Sequence, residues 1–380
     1  MELPDGTIAQ PVTRGVSSSR VQVAIVPLGM VEYDGQTLPI VSPDGRFIAV
    51  QQGKAPAWPT ILAQDDQTPA EAARLAVYEV TDKGLQLIAL PTETPSGLLL
   101  GRDTSMRGFL VESVRRDGSR WIGEIGWIRG GFRWLAQGDG IYSQAAFMNG
   151  GEGIVCSYRE KGDESAALIA IDSRGQRVLV SESGIAWVMG TPVAGGEMIF
   201  AMCVREAGVE IGAIGLGATG GNLLSRRRVS TDGDVAQAFQ AMSSVQPSCW
   251  DTKLTSEEGG FAFVHPVQAR VVLFEPRAGT FSPMGKGTVA SVRWRGDDGA
   301  SGYFLTARQG LMYLPDAGVE AGLEPARVLG SPFVARAVRD QRGPSMIAFG
   351  PSKRGEGVME VMRVAVGVPK AIETKPESKR

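Results

Sequence analysis

Short apolar runs, each broken by a glycine-containing turn, recur along this chain and predict β-strands joined in hairpins. Residues 150–162, GGEGIVCSYREKG, match residues 195–208, GGEMIFAMCVREAG, at an offset of about 45 residues. Both run Gly-Gly-Glu, a short apolar stretch, then Arg-Glu-x-Gly. The next residues of each copy also match: AALIAIDSRGQRVLV (166–180) and EIGAIGLGATGGNLL (210–224) are each an apolar run, a glycine turn and a second apolar run, which is a hairpin signal.

The unit extends over the whole chain. A strand that follows a glycine-containing turn begins near Phe47, Phe109, Ile154, Met198, Phe261, Tyr303 and Met346, at intervals of 62, 45, 44, 63, 42 and 43. Four intervals match the roughly 40–50 residues of one four-stranded propeller blade. The two long ones each contain an insertion, 54–73 in the first and 231–247 in the fourth. Closing hairpins turn at Gly84, Gly130, Gly175, Gly220, Gly279 and Gly318, and the seventh unit ends on VMEVMRVAV (358–366) without one. At the other end, RVQVAIVPL (20–28) is a strand with no local partner. Pairing these two strands covers an open edge and predicts an all-β, seven-bladed β-propeller of four-stranded antiparallel blades, its last blade completed by the N-terminal strand. The expected organisation is an N-terminal extension (1–19), one propeller domain (20–367) and a disordered polar tail (368–380). A pair of β-sandwiches also uses short strands, but it does not predict even spacing or a missing final strand.

The segment SPDGRFIAV (42–50) resembles the strand–turn–strand core of the WD40-like repeat in TolB-type β-propellers. The resemblance covers nine residues and implies the propeller fold.

Composition narrows the chemistry. A net charge of −2 argues against a phosphate-binding surface. One histidine and three cysteines exclude HExxH and multi-cysteine zinc sites by count. Cys156, Cys203 and Cys249 form no CxxC pair and read as buried thiols of a reducing compartment. Neither asparagine begins a glycosylation sequon, and residues 1–10 lack a signal-peptide pattern, so a cytoplasmic location is expected. The charge-poor stretch 184–204 is cut by Glu197 and by glycine and proline, and predicts two strands rather than a membrane helix.

Each chemical motif has a plainer reading. Residues 215–220, GLGATG, fit the dinucleotide fingerprint, yet the repeat places them on the hairpin turn equivalent to Asp172–Gly175. His265 sits in a strand, and without a GxSxG serine a hydrolase triad is not expected. The acid pairs Asp65-Asp66, Asp232-Gly233-Asp234 and Asp297-Asp298 match no calcium loop. Arg226-Arg227-Arg228 falls on an outer strand, where charge discourages edge pairing. No catalytic residue, cofactor or metal is expected.

Function is expected on loops. The two insertions project from one face of a propeller, and length there signals use; residues 235–242 suit a helical turn. The expected partner-facing set is Trp58, Asp65, Asp66, Tyr142, Trp187, Phe239, Trp250 and Phe333. The aromatics at the starts of innermost strands either meet a ligand at the channel mouth or pack between blades. The expectation is a monomeric, non-catalytic scaffold for a protein or peptide, not nucleic acid. The alternative is a carbohydrate-active hydrolase or lyase using carboxylates at the channel mouth.

Overall fold

The computed structural model describes residues 10–11 and 22–367, apart from 36, 54–72, 129, 149–150, 193–197, 206–207, 218, 231–260, 266–269, 276–279, 285–287, 297–300, 321, 323, 331–332 and 341–342. These residues form antiparallel meanders in chain order. A short β1 (Gln10–Pro11) lies against β2 (Gln22–Glu32). The first sheet is β3 (Ile40–Val41), β4 (Phe47–Gln52), β5 (Arg74–Thr81) and β6 (Gly84–Ile88). Next come β7 (Leu98–Thr104), β8 (Gly108–Val114), β9 (Arg120–Gly126) and β10 (Phe132–Ala136). They are followed by β11 (Ile141–Met148), β12 (Gly153–Arg159), β13 (Ala167–Asp172) and β14 (Gly175–Val180). One parallel bridge, Ile141 to Arg120, joins these last two meanders into a single hydrogen-bonded sheet.

The chain continues through β15 (Ala186–Pro192), β16 (Met198–Arg205), β17 (Gly208–Leu216) and β18 (Gly221–Ser230). Among the described residues the next sheet contributes β19 (Phe261–His265), β20 (Arg270–Glu275) and β21 (Thr280–Pro283). Then come β22 (Thr288–Arg295), β23 (Ser301–Ala307), β24 (Gly310–Pro315) and β25 (Ala326–Leu329). The final strands are β26 (Val334–Asp340), β27 (Gly343–Pro351) and β28 (Val358–Gly367). The strands expected from the repeat at Phe47, Phe109, Ile154, Met198, Phe261, Tyr303 and Met346 are β4, β8, β12, β16, β19, β23 and β27.

The last sheet takes its fourth strand from the N-terminus: β2 pairs antiparallel with β28 from Gln22 opposite Gly367 to Glu32 opposite Val358. The register shifts between Pro27 and Gly29. Proline has no N–H to give, which suits a strand whose far side is largely unpaired.

Among the described residues, six junctions between sheets are filled by side chains from both. Phe47 and Val77 meet Phe109 and Trp127 between the first two meanders. Leu110 and Ile122 meet Phe147 and Cys156 at the following junction, and Leu168 meets Trp187 and Ile199 at the one after. Further along, Leu273 packs on Leu305, and Trp294 and Phe304 pack on Met346. The junction that joins the chain's two ends has Leu28, Ile347 and Phe349 against Val41 and Ile48. Each large side chain removed from water in this way contributes about 1.5–3 kcal/mol.

Alternating strand direction gives every meander two ends. First-to-second and third-to-fourth strand turns emerge at one, here the hairpin end. Second-to-third turns and the links between sheets emerge at the other, the connection end. Parallel bridges from Ile141 to Arg120 and from Ala166 to Ala186 keep neighbouring sheets in the same sense.

One expected closing hairpin differs, and Gly279 of another lies outside the described residues. Gly318 lies in a one-turn helix, Asp316–Glu320, that links β24 to β25. The preceding turn, between β23 and β24, is tight and runs through Gly310 at φ 140°. The GLGATG segment forms the β17–β18 turn, with Gly217 N–H donating to Gly220 O at 2.7 Å.

A buried side chain ties the N-terminal segment to two sheets. Gln51 Nε2 donates to Asp34 at 3.1 Å, while its Oε1 accepts from Leu100 N–H at 2.7 Å. Asp34 in turn accepts from the backbone and hydroxyl of Thr37, each at 2.6 Å. Replacing Gln51 by Leu strips the Leu100 N–H of its buried acceptor. Urea denaturation should show a loss of about 1–3 kcal/mol; an unchanged midpoint would remove Gln51 from this role.

Candidate functional site

Of the expected partner-facing residues, Trp58, Asp65, Asp66, Phe239 and Trp250 lie outside the described residues, as do Cys249, Asp232, Asp234, Asp297 and Asp298. The other three are packed inside junctions between sheets. Tyr142 tilts against Tyr158 with ring centroids 4.9 Å apart. Trp187 is fully buried against Leu168 and Ile199, and Phe333 is buried beside Trp294 and Met346. The reason is local: a first strand starts where the preceding sheet presses on it. Trp187 N–H donates to Ala166 O at 2.8 Å, and Thr306 Oγ1 donates to Phe333 O at 2.7 Å.

Arg226, expected at an exposed edge, faces inward on β18. Its guanidinium sits 5.3 Å from the Trp187 ring centroid, donates to Glu182 and lies 3.6 Å from Glu210, which also pairs with Arg205. His265 ends β19 opposite Arg270.

Two constellations emerge that no sequence motif singles out. The first is polar and buried, where the first strands of three successive meanders bulge. The register shifts between Leu100 and Thr104 in β7, between Ser143 and Ala146 in β11, and between Val188 and Thr191 in β15. A bulge frees backbone groups from the ladder, and side chains here capture them. Asp103 accepts from Phe147 N–H and Thr104 N–H, both at 2.8 Å. Glu112 accepts from the N–H of Gln144 at 2.6 Å, a residue held at φ 55°. Arg102 reaches from β7 to β15, donating to Gly190 O at 2.6 Å and Thr191 Oγ1 at 3.0 Å.

Burial raises Asp103 to about 6, against the pull of the two N–H groups and Arg102. Burial also raises Glu112, opposed by the Gln144 N–H, Arg120 and Arg102. Burial lowers Arg102 to about 10, so it stays charged at neutral pH. Cys156 lies near Glu112, and burial pushes its thiol upward, which leaves it a poor nucleophile. The signal in the sequence was Gly101 followed by Arg102 and Asp103 in an apolar run, since glycine inside a strand marks a bulge.

The second constellation is an open cleft of about 630 Å³ at the hairpin end, between the first two meanders. Three turns build it: Asp44, Arg46 and Phe47 after β3, Met106 and Arg107 after β7, and the β9–β10 hairpin with Glu124, Trp127, Ile128 and Arg133. Phe47 and Trp127 stack as its floor, centroids 5.7 Å apart and planes 12° apart. Trp127 is locked there by Nε1 donating to Ser105 O at 2.8 Å and by its N–H donating to Arg107 O at 3.0 Å. The hairpin needs Gly126, because a Cβ there would meet Gly130 Cα at 2.5 Å.

No family model matches the chain, and no curated protein matches it. Solved structures do resemble it. A TolB from Agrobacterium tumefaciens is 14% identical, with 62% of this chain and 82% of that one covered and a TM-score of 0.36. TolB from Acinetobacter baumannii is 12% identical over 84% and 80%, TM-score 0.36. A puromycin-hydrolyzing peptidase from Mycobacterium tuberculosis is 12% identical, TM-score 0.44, over 84% of this chain but only 58% of the peptidase. The likenesses are faint, and the architecture described above stands on strand pairing alone. Among the described residues no helix is long and apolar enough to cross a membrane, and no group of three His, Cys, Asp or Glu residues gathers as a metal site.

The raised Asp103 gives a pH signature. An acid whose folded pKa lies above its unfolded value holds its proton more tightly in the folded state. Its contribution is therefore fully present below about pH 4 and is lost as pH rises through about 6. A rise of about two units corresponds to roughly 3 kcal/mol. The stability difference between wild type and Asp103→Asn should thus change by that order between pH 4 and 7 in urea titrations, wild type being favoured on the acid side. A difference that does not vary with pH would contradict the buried setting.

Proposed function

We propose that the chain closes into a seven-bladed β-propeller and serves as a monomeric, non-catalytic scaffold that docks a protein or peptide partner at the connection end. The observation that carries this reading is where the two insertions enter. Residues 54–73 follow β4, a second strand, and residues 231–247 follow β18, a fourth strand. Both exits lie at the connection end by the alternation of the meanders. Long segments that the sheets do not need for closure are where binding concentrates.

Several features support the ring. Six inter-sheet cores follow chain order and include one between the last sheet and the first. The first strands β7, β11 and β15 touch in succession. Arg102 bridges from β7 past β11 to β15, which supports these strands curving about a common axis. Trp58, Phe239 and Trp250 are the proposed contact residues, with Asp65 and Asp66 on the rim, in a reducing compartment such as the cytoplasm.

A carbohydrate-active hydrolase or lyase is the second reading, favoured by the raised carboxylates of Asp103 and Glu112. Both are committed to backbone N–H groups inside a junction, an arrangement suited to holding bulges in place.

The test is affinity capture with wild type and with the paired variant Trp58→Ala, Trp250→Ala, followed by titration of the purified partner. The expected result is a partner bound by wild type and weakened at least tenfold by the pair. Equal affinity would remove these residues, and turnover of a polysaccharide abolished by Asp103→Asn would favour the second reading.

A further inference from the structure

We infer that the hairpin-end cleft between the first two meanders is a docking groove for a short acidic peptide segment, one carboxylate seated on Arg107 and a neighbouring apolar side chain held between Met106 and Ile128. This groove lies at the end opposite the insertions and stands or falls separately from docking there.

The charge pattern selects the ligand. Arg46, Arg107 and Arg133 line the cleft with only Asp44 and Glu124 as acids. Glu124 is taken: one of its oxygens accepts from Arg133 Nε at 2.7 Å and lies 2.6 Å from Nη2. Asp44 is spent on its own turn, accepting from Ser42 Oγ at 2.6 Å and Arg46 N–H at 3.1 Å. Arg46 leans on Glu79 at 3.3 Å, outside the cleft lining. Arg107 donates to the carbonyl of Gly151 and has no carboxylate facing it among the described residues. That bond fixes the guanidinium while leaving further N–H groups, whose planar fork suits a carboxylate.

The apolar pattern selects the rest. Met106 is 62% exposed and Ile128 57% exposed, whereas Phe47 and Trp127 beneath them are 4% and 3% exposed. A flexible methionine beside a stiffer isoleucine, both in water above a rigid aromatic floor, forms a contact for an aliphatic or aromatic residue. The buried rings leave no open face for bases to stack on. Two carboxylates in the lining, and a net charge of −2 over the chain, oppose an extended polyanion. A single carboxylate beside an apolar side chain fits both patterns; a nucleic acid strand fits neither.

The probe is a fluorescein-labelled peptide, Gly-Ser-Asp-Leu-Glu-Phe-Ser-Gly, followed by polarisation against the full chain at near-physiological salt. Saturable binding is expected, with at least a tenfold loss for Arg107→Glu and for Met106→Asp. Met106 is exposed, so its variant keeps the test open if Arg107→Glu does not fold. Arg308→Glu makes the same charge change on the exposed β23–β24 turn at the connection end and should bind like wild type. No saturable binding, equal loss in Arg107→Glu and Arg308→Glu, or unchanged affinity in Met106→Asp would each overturn the inference. So would preferential binding of labelled octathymidylate over the peptide.

Discussion

The structure depends on one constraint: strands that are buried on both faces need a packed neighbour on each side. Strands β8 and β11 are buried along their whole length, the pattern of strands with a neighbour on each side. An open row of such sheets would leave an apolar face in water at each end. The core shared by Leu28, Ile347 and Phe349 with Val41 and Ile48 brings the first and last sheets together and covers apolar surface on both. The strand exchange between β2 and β28 arises from the same need, since it supplies the last sheet with its outer strand and anchors the start of the chain.

Much of this was legible in the sequence because the repeat is written in apolar spacing. Residues such as Phe109 and Met198 fall at the starts of second strands because glycine-containing turns and apolar runs mark them locally. The pairing of 20–28 with 358–366 was legible by complementarity, each being a strand without a local partner. Other features required three dimensions. Arg226 reads as edge charge along the chain, yet it folds over Trp187 because Glu182 and Glu210 come from elsewhere in the chain. Gly318 reads as a hairpin glycine, yet the chain there makes a helical turn.

The candidate sites divide the same way. The cleft draws on turns that start at Asp44, Met106 and Trp127, which no spacing rule connects. The bulge cluster was half visible, since Gly101 hints at a bulge, but the partners of Arg102, Asp103 and Glu112 lie on other meanders. The aromatics at the starts of first strands were legible as a class. Whether such residues face a channel or a neighbouring sheet is set by packing between sheets, and Tyr142, Trp187 and Phe333 face neighbours.

The exchange of strands between the two termini also dictates an order of events during synthesis. Translation is vectorial, so β2 leaves the ribosome long before β28 does. Until then β2 lacks its long ladder partner and Ile25 lacks Met346 and Val364, while Leu28 and Val31 have only the first sheet, with Val41, Ile48 and Val50, to rest on. The intermediate meanders have their hairpin partners close by in the chain and can assemble as they emerge. The β2–β28 ladder therefore forms only after the meanders between them are made, and a ribosome stalled before β28 displays a half-built sheet edge to neighbouring nascent chains.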